Sequence, residues 1–293
     1  MAFTRKTIRQ RIGSAEFCGD TYVSSATGGT TSTLVDTSLK QPDDFFISSE
    51  IVPLEGNGAN APRYVTDWVQ STSTFTVDRV WSGVAASGDD YEVHTVFPYA
   101  DKNAAIVAAQ RAAAMRWPRR IEDTSLTFLT NTYTYSLGSL SVPIDPDIGI
   151  DMVLYDTGTT GTGVPYATLD DDLWEIRISG TTYTLQVYDI PRTGATIRLI
   201  YRVRPTVVSD DTTSIVPDST AYQNYLCAKA TAILYRSRAL IEPESDWAAK
   251  ADNMEAMAEG YWNLDKPQSQ GGKVRFPIMA RKDEDYLPVN FGL

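Results

Sequence analysis

A helical pattern cut in two constrains this chain more than any other feature. The alanine-rich segment Lys102 to Trp117 carries Ile106, Ala109, Ala113 and Trp117 at helical spacing, with Asp101 as a candidate N-cap and Pro118 beyond its end. A long strand-like stretch follows before helical spacing returns at Tyr222 to Trp262. The first stripe there is Tyr222, Tyr225, Leu226, Ile233, Leu234 and Ile241. Pro243 interrupts it, and Trp247, Ala251, Met254, Ala258 and Tyr261 form a second. Neither piece can bury its apolar stripe alone. Helices gain most of their stability from packing an apolar face, so the two pieces are expected to share one core, with the strand-like stretch as an insertion. The residues singled out for that packing are Trp117, Tyr222, Leu226, Ile233, Trp247 and Met254. Alanine at Ala104, Ala105, Ala108, Ala109, Ala112, Ala113 and Ala114 adds little volume and lets another helix approach closely.

Two regions carry period-two alternation. From Thr21 to Phe97, strand candidates are Tyr22-Val23, Thr31 to Val35, Phe45 to Leu54, Arg63 to Trp68, Thr74 to Trp81 and Tyr91 to Phe97, several separated by glycine-bearing turns. In the insertion, Trp174, Ile176 and Ile178 alternate with Glu175, Arg177 and Ser179. Ile197, Leu199, Tyr201 and Val203 likewise oppose Arg198, Arg202 and Arg204. The expected fold is therefore α+β: a small helical bundle of an N-terminal helix plus a helical hairpin, two antiparallel β modules of barrel or sandwich type, and extended termini. The expected divisions are a basic N-terminal arm at 1–19, a β module at 20–98 and a helical core at 99–122 and 207–264. An inserted β module at 123–206 and an extended tail at 265–293 complete them.

Charge and cysteine usage exclude several functions. A formal charge of −11 rules out phosphate-backbone binding as the main activity of the whole surface. The basic exception is the N-terminus, where Arg5, Lys6, Arg9 and Arg11 precede any acid; this helix reads either as solvated or as an arm for an acidic partner. No apolar run follows those charges and none elsewhere is long enough to span a membrane, so the chain is expected to be made and assembled in the cytosol. Cys18 and Cys227 match no metal or redox spacing and are expected to stay reduced.

Enzyme chemistry finds little footing. His94 is the single histidine, sits in a strand pattern, and has no nucleophile elbow, phosphate loop or dinucleotide fingerprint around it. Asp170, Asp171 and Asp172 with Glu175 have the composition of a calcium loop or a glycosidase carboxylate pair, but lack the alternating acids and central glycine of an EF-hand. No cofactor or metal is expected.

The helix ending Arg116-Trp117-Pro118-Arg119-Arg120, the following Glu122-Asp123-Thr124-Ser125-Leu126 and the hairpin Tyr222 to Trp262 resemble the head-to-tail adaptor (connector) proteins of tailed bacteriophages. Thr74-Phe75-Thr76-Val77-Asp78 and Ser87-Gly88-Asp89-Asp90-Tyr91 are similar to strand and turn patterns of phage structural proteins. The resemblance implies a nonenzymatic virion protein at the head-tail interface, forming a ring of twelve subunits beneath the portal. Its partners would be sister copies, the portal and a downstream tail protein, with genomic DNA passing transiently through. The C-terminal segment would reach the portal, and Val274, Phe276, Ile278, Tyr286, Leu287 and Phe291 are its apolar points. Glu242, Glu244, Asp246, Asp252, Glu255 and Glu259 are candidate lumen-lining acids. Two other readings remain: a tail-associated receptor- or carbohydrate-binding protein using exposed aromatics, and a tail carbohydrate hydrolase using the acids near Asp170.

Overall fold

The computed structural model describes residues 3–56, 58–114, 116–145, 149–158, 166–179, 182–216, 219–265 and 278–279. The chain separates into two compact units, 1–117 with 206–266 and 118–205 with 267–293. The fold is α+β, with four α-helices and three sheets among the described residues, none closed into a barrel.

The first unit begins with α1 (Arg5–Ile12), capped by Thr4, whose side chain accepts from the Thr7 amide. Six strands follow: β1 (Thr21–Ser25), β2 (Gly28–Gly29), β3 (Thr33–Val35), β4 (Glu50–Pro53), β5 (Arg63–Val69) and β6 (Thr74–Val77). With β7 (Asp90–His94) they make one open antiparallel sheet in the order β1-β7-β4-β5-β6-β3-β2. The expectation of a barrel therefore fails for this region, because the sheet ends at the short edge strand β2 rather than returning to β1. Trp68, Phe75, Phe46, Tyr91 and Val93 fill its core.

The expected strand from Phe45 is also cut short. Asp44 and Ser48 both take positive φ, 64° and 66°, and fold residues 44–48 out of the ladder, so regular pairing starts only at Glu50. Phe46 stays buried while Phe45 and Ile47 are turned outward.

Helix α2 (Tyr99–Ala113) starts after Pro98, so Asp101 lies in its first turn rather than at the cap. Helix α3 (Thr220–Ile241) is capped by Ser219, whose hydroxyl accepts from the Tyr222 amide, and α4 (Trp247–Asp265) returns beside it after the turn at Pro243. Helices α1, α2, α3 and α4 contribute to one apolar cluster. The N-terminal helix is neither solvated nor a free arm: Ile8 and Ile12 have no exposed surface, and neither does Arg9.

The second unit holds β8 (Arg119–Thr127), β9 (Thr134–Ser136), β10 (Ile150–Asp156), β11 (Tyr166–Thr168), β12 (Trp174–Ser179), β13 (Thr182–Val187) and β14 (Thr196–Val203). One sheet runs β11-β10-β14-β8. The other runs β9-β13-β12 and ends on β15 (Ile278–Met279), paired in parallel with β12. Trp174, Ile176, Leu185 and Val187 from one sheet and Val153, Ile197, Leu199 and Tyr201 from the other share a single core. This is the packing that period-two alternation in both sheets requires.

Candidate functional site

The helical part of the first unit presents the most distinctive surface. Ala105, Ala109 and Ala113 of α2 are almost completely buried, as are Leu226, Cys227, Ala228 and Ala230 of α3, so the small side chains form the seam between these helices. Trp117 closes one end, with ring centroids 5.4 Å from Tyr222, 4.7 Å from Tyr225 and 4.6 Å from Trp262. Phe97, Tyr235 and Trp247 close the other, at 5.3 to 5.9 Å from one another. Of the residues singled out for packing, Trp117, Tyr222 and Leu226 lie inside this cluster. Ile233, Trp247 and Met254 are partly buried against it.

Beside the seam a mainly apolar groove of about 350 Å³ remains open, lined by Ala104, Ala105 and Ala108 of α2 and by Ile233, Leu234 and Ile241 of α3, with Asp101, Ser237 and Arg238 as its polar members. Its surroundings include large exposed side chains: Val96 is 40% exposed, Ile241 71% and neighbouring Leu240 87%. Scattered exposed aliphatics are ordinary on a soluble protein, but a cluster around an apolar groove marks a surface that another protein can cover.

The acids proposed from sequence as a channel lining are mostly neutralised within this unit. Glu242 pairs with Arg238 at 2.6 Å, Asp246 with Lys250 at 3.0 Å, Asp252 with Arg236 at 3.0 Å and Glu259 with Arg116 at 2.5 Å. Glu255 pairs with Lys229. Glu242 also accepts from the Trp247 indole at 2.8 Å, and Glu244 is exposed. Asp252 and Glu255 tie α4 to α3 and Glu259 ties it to Arg116, three residues past the end of α2, while the Glu242 and Asp246 pairs are local, four residues apart. Each such pair is worth at most about 1 kcal/mol where exposed.

A buried charge network escaped the sequence reading. Arg9 Nε lies 2.7 Å from Glu92 and its Nη1 2.9 Å from Asp211, with the guanidinium 4.3 Å over the Tyr99 ring. Lys102 Nζ, fully buried, lies 2.6 Å from Asp20 and 3.1 Å from His94 Nδ1. Burial opposes the charge on Glu92, but His94 and Arg9 together hold its carboxyl down at about 2. The signal was present as an acid within an apolar strand, Glu92, and another just before β1, Asp20, which when buried require cations. Their partners were not legible from spacing, since Glu92 lies 83 residues from Arg9.

Asp170 precedes a single 3-10 turn and is exposed, as is Asp172, while Glu175 pairs with Arg177. Among the described residues, no three of His, Cys, Asp and Glu are grouped to hold a metal ion. Val274, Phe276, Tyr286, Leu287 and Phe291 lie outside the described residues, and Ile278 is described only by its backbone pairing in β15. No described helix is long and apolar enough to cross a membrane.

The helical part of the first unit thus pairs helices sealed by aromatic clusters beside an open apolar groove, and the second unit is built from strands. The chain's family follows from sequence comparison: the model of the SU10 adaptor protein family matches residues 84–273. The chain belongs to that family of phage adaptors, and is a bacteriophage structural protein. The match takes in β7, α2, the strands β8 to β14 and the α3–α4 hairpin, and leaves out α1 and β1 to β6. No curated protein matches the chain.

Proposed function

We propose that this adaptor forms a homo-oligomeric ring at the head-tail interface, joining the portal to the tail and letting DNA pass. The observation that carries the proposal is the family match over the helical core, together with the exposed apolar groove of that core. A closed ring needs a heterologous contact, in which one surface of each copy covers a different surface of the next. The groove with Val96, Leu240 and Ile241 offers one such surface. Twelve copies at −11 each would carry roughly −130 formal charges, which disfavours adhesion of DNA phosphates in transit. That repulsion would come from the whole chain, since the hairpin acids are paired. The segment beyond α4, with its apolar points, is the part proposed to engage the portal.

The test is negative-stain imaging of the purified chain, alone and mixed with its portal. Ring-shaped particles are the expected result. Ile241→Asp should prevent them while leaving the melting temperature unchanged, because the side chain is mostly solvent-exposed in the single copy. A strictly monomeric chain that never engages portal contradicts the proposal.

A further inference from the structure

His94 occupies a buried position where its protonation state is dictated by its neighbours. Lys102 Nζ stands 3.1 Å from Nδ1. An ammonium can only donate, so Nδ1 must accept and the imidazole proton must sit on Nε2. Nε2 approaches a Glu92 carboxylate oxygen at 3.2 Å, a close charge contact without hydrogen-bond geometry. Lys102 is in turn held by Asp20 at 2.6 Å and by the hydroxyl of Thr21, which is 3.3 Å from Nδ1 itself. The other charged groups around the imidazole come from every element packed on it. Glu50 of β4 lies opposite His94 in the ladder and accepts from the Tyr99 amide; the Tyr99 ring of α2 is 6.0 Å away; Arg9 of α1 reaches Glu92, and Asp211 reaches Arg9.

This cluster is coupled to α1 at two points. One is the Arg9 to Glu92 ion pair. The other is Gly13, the C-cap of α1, which lies so close to Thr21 that an added Cβ would stand 2.0 Å from its hydroxyl oxygen. Gly13, which weakens the helix intrinsically, is needed for that approach. The hydroxyl it packs against is the one that receives Lys102.

We propose that His94 is a proton-operated latch on the N-terminal helix: the neutral imidazole locks Lys102, Thr21 and Glu92 together and so fastens α1, and protonation releases it. A proton on Nδ1 turns the acceptor of Lys102 into a donor and sets two cations about 3 Å apart in a buried site. Lys102 cannot retreat without leaving Asp20. Burial, with the adjacent Lys102, pushes the imidazole below its ordinary 6.5 despite the opposing pull of Glu92. The unfolded or released chain therefore takes up the proton first, and the latch weakens as pH falls below 6.5. The device joins α1 and β1, outside the family match, to β7 and α2 within it.

His94 is the only histidine, so exchange of its imidazole C2 hydrogen, read by mass spectrometry on the full chain, gives a single titration. Amide protection of Arg5–Ile12 is measured in the same samples from pH 8 to 5, above the range in which Glu92 titrates. The expected result is an imidazole midpoint below 6.5, with α1 protection falling between pH 6.5 and that midpoint, by at most about tenfold per pH unit, and levelling off below it. His94→Gln keeps an acceptor and a donor without titrating, and should hold protection constant over that range. An imidazole midpoint at or above 6.5, α1 protection that stays constant between pH 6.5 and the imidazole midpoint, or the same acid-dependent fall in His94→Gln overturns the latch. If His94→Gln fails to fold, the co-titration in the unaltered chain still decides.

Discussion

Arg9→Met tests whether the N-terminal helix is held by charge burial. Arg9 and Glu92 side chains are both fully buried and 2.7 Å apart, and Arg9 also contacts Asp211 at 2.9 Å. Methionine fills much of the same volume, so little cavity is created; the loss is the cation. Glu92 would then remain buried with only neutral His94 beside it, and removing one partner of a buried pair costs about 3–5 kcal/mol. For a unit of this size each kcal/mol shifts the midpoint by about 2–4 °C, so thermal unfolding should move down by roughly 6–20 °C. The assay is scanning calorimetry at pH 7 with Arg79→Met as control. Arg79 is 69% exposed beside Asp78, and its replacement should lie within about 0.5 kcal/mol of the parent. Arg9→Met/Glu92→Met should recover most of the loss, because the stranded carboxylate is gone. A cost under about 1 kcal/mol for Arg9→Met alone would refute the reasoning.

Three further outcomes follow from the same geometry. Trp117→Ala removes the ring packed on Tyr222, Tyr225 and Trp262 and should cost about 3–5 kcal/mol by urea denaturation; a loss near zero would mean that the aromatic cluster does not seal the helices. Glu92 is held at about 2 against an ordinary 4.5, so its contribution is complete above pH 4.5 and is lost as pH falls toward 2, about 3 kcal/mol in total; acid titration of stability at pH 2 to 5 checks the sign and window, and Glu92→Gln should flatten it. Burial pushes the thiols of Cys18 and Cys227 up to about 12, so neither should react with a thiol reagent at pH 8 until the chain unfolds, and rapid native labelling of Cys227 would contradict its buried place.

The parts of the fold that were legible in sequence are those written in local periodicity. Ala105, Ala109 and Ala113 with Trp117, and Tyr222, Tyr225 and Leu226, repeat at helical spacing and do line one core. Trp174 and Ile176, and Ile197, Leu199 and Tyr201, alternate and are buried together. Sheet closure was not legible, since nothing in a strand's own residues says whether the last strand returns to the first. The break at Asp44 and Ser48 was hidden because neither is glycine, yet both take left-handed backbone. The site was less legible than the fold. Acids on the hairpin were visible as negative charges, but Glu259 finds Arg116 across 143 residues and Arg9 finds Asp211 across 202. Pairing over such distances is a property of the folded topology and leaves no mark in spacing. Phe45 and Ile47 are exposed by the turn at Asp44 and Ser48, which alternation alone reads as strand.

The adaptor assignment is tested most directly by imaging the virion that carries this chain and locating its density. The prediction is a closed, rotationally symmetric layer of copies between portal and tail, with the α2, α3 and α4 helices of neighbouring copies side by side. Density elsewhere on the particle, as isolated copies at the distal tail or on fibres, would contradict it.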